Sequence, residues 1–150
     1  MKKNMRKILN AFPDINFRIE NDYPCFGQAA MLPEDMNALD FPLCLDTSHL
    51  WASCRIFGVE FLSACRKMTS GGKVTMMHLH ASSFTADMPA MECRDGHLQL
   101  STADWQHMHL DKVLRNAVRR GLRHVVLETG NAVNGDDIRL IKSFLEPVVK

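Results

Sequence analysis

Four apolar stretches of this chain each stop abruptly at a residue able to hold a metal ion or move a proton. Phe17 and Ile19 lead to Glu20; Leu43-Cys44-Leu45 leads to Asp46, with Thr47, Ser48 and His49 behind it; Met76-Met77 leads to His78; Val125-Val126-Leu127 leads to Glu128. A short apolar run that ends in a functional group is how a buried parallel strand delivers chemistry at its C-terminal end. Strand side chains alternate between faces. One face then collects Ile15, Phe17 and Ile19, Leu43 and Leu45, Met77 and Leu79, and Val125 and Leu127. The other face collects Glu20, Asp46, His78 and Glu128, so all four point the same way.

The segments between these strands carry helical signals. A basic amphipathic helix is expected over 3–11, with Met5, Ile8 and Leu9 inward, and Pro13-Asp14 opens a strand over about 15–20. Pro33-Glu34-Asp35 starts a short helix, and the second strand runs over 41–46. One long helix is expected over about 55–67, stopped at Ser70-Gly71-Gly72, before a strand over 73–79. A long polar loop from Ala81 to about Thr102 holds Arg94-Asp95-Gly96-His97; loops of that length are often functional. A helix to about Arg120 follows, with Trp105, Met108, Val113, Leu114 and Ala117 inward. The last strand is 123–128, Gly130 to Gly135 is a turn, and Asp136-Asp137 opens the final helix. Strands alternating with helices imply an α/β fold with a parallel sheet and right-handed crossovers.

Composition excludes more than it assigns. A net charge of +1 over 150 residues leaves no electrostatic footprint for nucleic acid or a membrane surface. No apolar run is long enough to span a bilayer, and the N-terminus lacks the core of a signal peptide. Five cysteines (Cys25, Cys44, Cys54, Cys65 and Cys93), odd in number and without a Cys-x-x-Cys pair, fit free thiols in a reducing cytoplasm.

In a parallel α/β fold the site lies at the C-terminal strand ends. Three carboxylates gathered there repel unless one stays protonated or a cation opposes them. Glu20, Asp46, His78 and Glu128 offer three oxygens and an imidazole, suited to Mn²⁺, Zn²⁺, Co²⁺ or Mg²⁺ with positions left for substrate. The alternative is pairing with basic side chains, for which Arg18, on the face of Glu20, is placed. His49, Asp95 and His97 form a second candidate group, either a further metal site or substrate contacts. His80 lies on the right face but one step beyond His78. His107, His109 and His124 read as solvent or packing residues.

Together these residues resemble the xylose isomerase-like TIM barrels, the superfamily of endonuclease IV (AP endonuclease family 2) and many sugar isomerases and epimerases. The matching motifs are Ile19-Glu20-Asn21, Leu45-Asp46-Thr47-Ser48-His49, Met77-His78-Leu79, Asp95-Gly96-His97 and Leu127-Glu128-Thr129. Their order resembles strands five to eight of such barrels, which implies a single half-barrel domain over 1–150. The resemblance implies a shared metal centre at Glu20, Asp46, His78 and Glu128. In the isomerase and epimerase branch it makes Glu20 and Glu128 the proton-transferring residues and His49 and His97 substrate contacts. In the endonuclease branch His49, Asp95 and His97 hold a further zinc. The expected activity is that of a metal-dependent isomerase or epimerase of a sugar or sugar phosphate. The alternatives are a metal-dependent phosphodiesterase and a non-catalytic half-barrel subunit. Four βα units leave two open sheet edges, so the expected partner is a second copy or a separate N-terminal half-barrel. The expected open face exposes Val74, Met76, Cys44 and Val126 to water.

Overall fold

Each ligand-bearing stretch becomes a strand. A computed structural model describes residues 2–24, 32–85, 87–89, 92, 94–129 and 135–146. Strands β1 (Ile19–Glu20), β2 (Leu43–Asp46), β3 (Val74–Leu79) and β4 (His124–Leu127) form one sheet in the order β1-β2-β3-β4, every neighbouring pair parallel. The α/β architecture is therefore as expected. β1 is shorter than 15–20, because the chain leaves its first helix through backbone turns, Ile15 N–H to Phe12 and Phe17 N–H to Ile15. Cys25 and Cys93, and positions 130–134 of the expected turn, lie outside the described residues; Cys44, Cys54 and Cys65 are free thiols.

Among the described residues there are six α-helices: α1 (Lys2–Ala11), α2 (Pro33–Asn37), α3 (Thr47–Phe57), α4 (Phe61–Thr69), α5 (Leu110–Arg119) and α6 (Gly135–Leu145). The single helix expected over 55–67 is two. Gly58 adopts the left-handed conformation, φ 67°, and closes α3, its N–H bonding back toward the last turn. The Glu60 carboxylate then caps α4 by accepting from Leu62 and Ser63 N–H. The helix expected from 102 is also shorter. A 3₁₀ turn at Gln106–Met108 ends at His109, itself left-handed, and α5 begins beyond it. Trp105 packs on Phe144 of α6, with ring centroids 4.5 Å apart.

The helix-facing residues form the core. Leu43, Leu45, Met77 and Leu79 are fully buried among Leu50, Met68, Leu110 and Leu114. Such side chains contribute roughly 1.5–3 kcal/mol each on burial. The opposite face corrects two expectations. Val74 is buried in the core, because the β2–β3 register slips at Thr75 and turns Val74 to the helix side. Cys44 is buried as well, on an inner strand that pairs with the strand of His78. Val126 is exposed, as the open face predicts, whereas Met76 is only half-exposed. Among the described residues no helix is long and apolar enough to cross a membrane.

Candidate metal centre

The strand register sets the site. Asp46 pairs with His78 across β2 and β3, so the inner strands place an imidazole beside a carboxylate. Glu20 and Glu128 arrive from the two outermost strands. In a flat sheet β1 and β4 would lie about 14 Å apart, three spacings of about 4.8 Å. Here the ligand atoms of Glu20, Asp46, His78 and Glu128 all fall within 4.8 Å of one another. The curvature of the sheet and the reach of the two glutamates bring them together.

His78 is the hub. Its Nδ1 lies 2.9 Å from Glu128 Oε2, 3.4 Å from Glu20 Oε1 and 3.8 Å from Asp46 Oδ2. This buried nitrogen nevertheless makes no hydrogen bond of normal geometry among the described residues. Donor atoms held about 2.0–2.2 Å from one cation sit about 3–4.4 Å from each other, which is the spacing seen. The Cys44 and Glu20 side chains beside His78 push its imidazole up to about 11, although burial opposes this. The centre is thus a negative field that a proton on His78 partly offsets and a divalent cation would offset further. Arg18, the alternative counter-charge, is directed elsewhere: its Nε donates to Thr75 Oγ1 and Nη1 to the Asn16 carbonyl. These observations fit a cation at this donor set.

Asp46 is held on every side. It is fully buried, its Oδ1 caps α3 by accepting from His49 N–H at 2.8 Å, and its Oδ2 lies 3.1 Å from His80 Nε2. Burial raises its carboxyl, but the His80 hydrogen bond and the charges of His80 and His49 hold it below the usual value. Asn21, fully buried, binds both backbone groups of Asp46. The Thr47 hydroxyl lies 3.2 and 3.1 Å from the carbonyls of His78 and His80.

The long loop folds back over these strand ends. Ala81 and Leu98 form an antiparallel bridge, and Trp51 Nε1–H donates to the Phe84 carbonyl. Gly96 lies against Ser83, where a Cβ would meet the backbone nitrogen at 2.8 Å, so the turn has no room for a side chain. Asp95 Oδ2 consequently sits between His49 Nε2, at 3.0 Å, and His97 Nε2, at 2.8 Å. His97 Nδ1–H faces the Glu128 carbonyl at 3.1 Å, and its ring stacks on His80 with centroids 4.5 Å apart. Burial lowers His49, but the Asp95 hydrogen bond and the Asp46 charge outweigh it and hold the imidazole at about 9.

The structure thus brings His49, Asp95 and His97 beside the four-residue centre. The compact second donor group, however, is His80, Asp95 and His97, whose ligand atoms lie within 4.8 Å of one another. His80 Nδ1 and Asp95 Oδ1 are buried without a hydrogen-bond partner among the described residues. His80 continues the face of His78 by the period-2 rule, so its inclusion was readable; Asn21 and Thr47 act through backbone contacts that no residue pattern announces. His107 packs edge-on against Trp51, and His124 is exposed at the far end of β4, both outside the site.

No protein-family model matches the chain, and no curated protein matches it. A solved structure does. The crystal structure of a D-tagatose 3-epimerase-like protein superposes with a TM-score of 0.68 over 98% of this chain, at 17% identity. The match covers 54% of that protein, so this chain spans about half its length. At this identity the likeness concerns the fold: four parallel βα units follow part of a TIM barrel.

Proposed function

We propose that this chain carries the chemical half of a divalent-metal-dependent sugar isomerase or epimerase. The observation that supports it most is the convergence of Glu20 and Glu128, from opposite edges of the sheet, on the same nitrogen of His78. The sugar class is suggested by the matched fold, that of a D-tagatose 3-epimerase-like protein. Glu20, Asp46, His78 and Glu128 would hold the ion. When bound, a divalent cation polarises a carbonyl and its neighbouring hydroxyl.

The chain's own residues divide the remaining work by exposure. Asp46 is 0% exposed and His78 19%, so these inner residues are fixed. Glu20 and Glu128 are 36% and 40% exposed and open to a substrate. One carboxylate takes the proton from the carbon next to the carbonyl and the other returns it, so no proton is gained or lost overall. His49 and His97, joined through Asp95 and bonded by their other ring nitrogens to the Asn21 and Glu128 carbonyls, wall the loop side of the site, where a substrate hydroxyl would have to displace one of those bonds to reach them.

The test is metal analysis of the purified chain, followed by incubation with a ketose panel in deuterated water. The expected result is a stoichiometric divalent metal and deuterium at one carbon, with exchange abolished by Glu128→Gln. Metal-free protein that stays inactive after metal addition would refute the reading. A second reading, a metal-dependent phosphodiesterase of the endonuclease IV type, is favoured by the adjoining group of His80, Asp95 and His97. Cleavage of an abasic-site duplex in place of sugar exchange would select it, and bound metal without either turnover would select the non-catalytic subunit.

A further inference from the structure

Among the described residues the two sheet edges are unfilled, and the hydrogen-bond pattern shows what they offer. In a parallel ladder a residue's N–H and C=O turn to the same neighbour, and successive residues alternate. Arg123 N–H donates to Thr75 O, so Val125 and Leu127 turn toward β3 while His124 and Val126 turn outward. Ile19 N–H donates to Pro42 O, so Arg18 and Glu20 turn outward from β1. Among the described residues nothing pairs with these outward groups, so both edges carry a matching run of backbone donors and acceptors, the form of edge that natural sheets cover or close. Apolar side chains flank both: Phe12 and Ile15 beside β1, each 53% exposed, and Val126 and Ile138 on the β4 side.

The site is unwalled on the same two sides. Its inner residues, Asp46 and His78, are shielded, while Glu20 and Glu128 on the edge strands remain open. Whatever pairs with the edges also walls the site.

We propose that the occupant is a second copy of this chain, joined about a two-fold axis along the strands so that eight strands close into a barrel. The two edges differ, and a two-fold places β4 of each copy against β1 of the other. One operation then fills both edges and leaves none over, the closed symmetry preferred by soluble oligomers. One chain spans 54% of the matched TIM-barrel protein, so two copies supply a full circle of strands. Each copy keeps its own four-residue centre, since all four donors come from one chain. The Val126 side chain, exposed in a single copy, turns into the closed interior.

Sedimentation velocity in chelator, so that the outcome is independent of the metal reading, tests this on the purified chain. The expected species has twice the chain mass of 17.0 kDa. Val126→Lys on one edge, and separately Ile15→Lys on the other, should each yield a folded monomer, because both positions are already exposed. Backbone amide exchange supplies the second readout. The amides of His124 and Val126 should exchange about a hundredfold or more slower in the dimer than in the Val126→Lys monomer, while those of Val125 and Leu127 stay protected in both. A monomer of 17.0 kDa with a cooperative melt at every concentration overturns the proposal and points to a different half-barrel as occupant. So does a dimer in which the His124 and Val126 amides exchange as fast as in the monomeric variant.

Discussion

Asn21 takes both backbone groups of Asp46 with one side chain: its Oδ1 accepts from Asp46 N–H at 2.8 Å and its Nδ2 donates to the Asp46 carbonyl at 3.1 Å. β1 ends at Glu20, so the amide side chain continues the ladder one step beyond it and fixes Glu20 relative to Asp46. The Asn21 carbonyl also accepts from His49 Nδ1–H at 3.0 Å, which turns Nε2 toward Asp95.

Replacing Asn21 with Ala should destabilise the protein more than its size suggests. Two buried backbone groups lose their partners, at about 1–3 kcal/mol for each group left unsatisfied. The thermal midpoint should fall by several degrees, and metal affinity should fall with it as Asp46 loses its position. An Asn21→Ala variant that melts with the parent would show that water replaces the amide without loss.

The residues of the centre were readable because strand geometry is periodic. Glu20, Asp46, His78 and Glu128 stand in phase with their apolar neighbours, and the observed register keeps that phase through Asp46 and His78. The period failed where the backbone departs from it. A slip at Thr75 sent Val74 to the core, and a left-handed Gly58 split the segment over 55–67, whose apolar spacing from Phe57 to Cys65 reads as one helix. The placement of Asp95 and His97 followed from no local pattern. It depends on the Ala81–Leu98 bridge and on Gly96 against Ser83, contacts between positions far apart or held by shape alone.

Gly96→Ala tests that shape. A Cβ 2.8 Å from the Ser83 nitrogen forces the turn away from β3, and the nearest obstacle is backbone, which yields poorly. His97, already left-handed at φ 40°, then loses its stack on His80. The Leu98 amide, which donates to Ala81 at 3.1 Å, should lose exchange protection, while the amides of β2 and β3 keep theirs. Unchanged protection at Leu98 would mean that the loop is fixed from elsewhere.

Asp46→Asn keeps the shape of the side chain and removes its charge. The amide can retain one cap contact to His49 N–H, so the fold should survive with a modest loss of stability. Bound metal should fall by an order of magnitude or more, because the most buried of the four donors becomes neutral. Metal content measured on folded variant, with Arg18→Ala as a control outside the donor set, decides the matter; equal metal in Asp46→Asn and parent would remove Asp46 from the centre.

The pH dependence of the metal-free protein should be one-sided above neutrality. His49 is held at about 9 and His78 at about 11, both above the ordinary 6.5. For a group raised on folding, the added stability is complete below the unfolded value and is lost as pH climbs through the folded one. Stability should therefore start to decline above 6.5 and continue to fall through about 9 and toward 11 as the two imidazoles lose their protons among carboxylates. At the acid end the sign reverses. Burial raises Asp46 and Asp95, but hydrogen bonds from His80 and His49 respectively hold them below their ordinary 3.8, so their contribution is lost only as pH falls below that value. The plateau should span 3.8 to 6.5 in denaturant midpoints measured with chelator present. A bound cation replaces those protons, and its binding should release them and shift the high-pH decline upward. Midpoints that stay level from 6.5 to 9 in the metal-free protein would show that Asp95 and Asp46 do not hold His49 protonated, nor Cys44 and Glu20 His78.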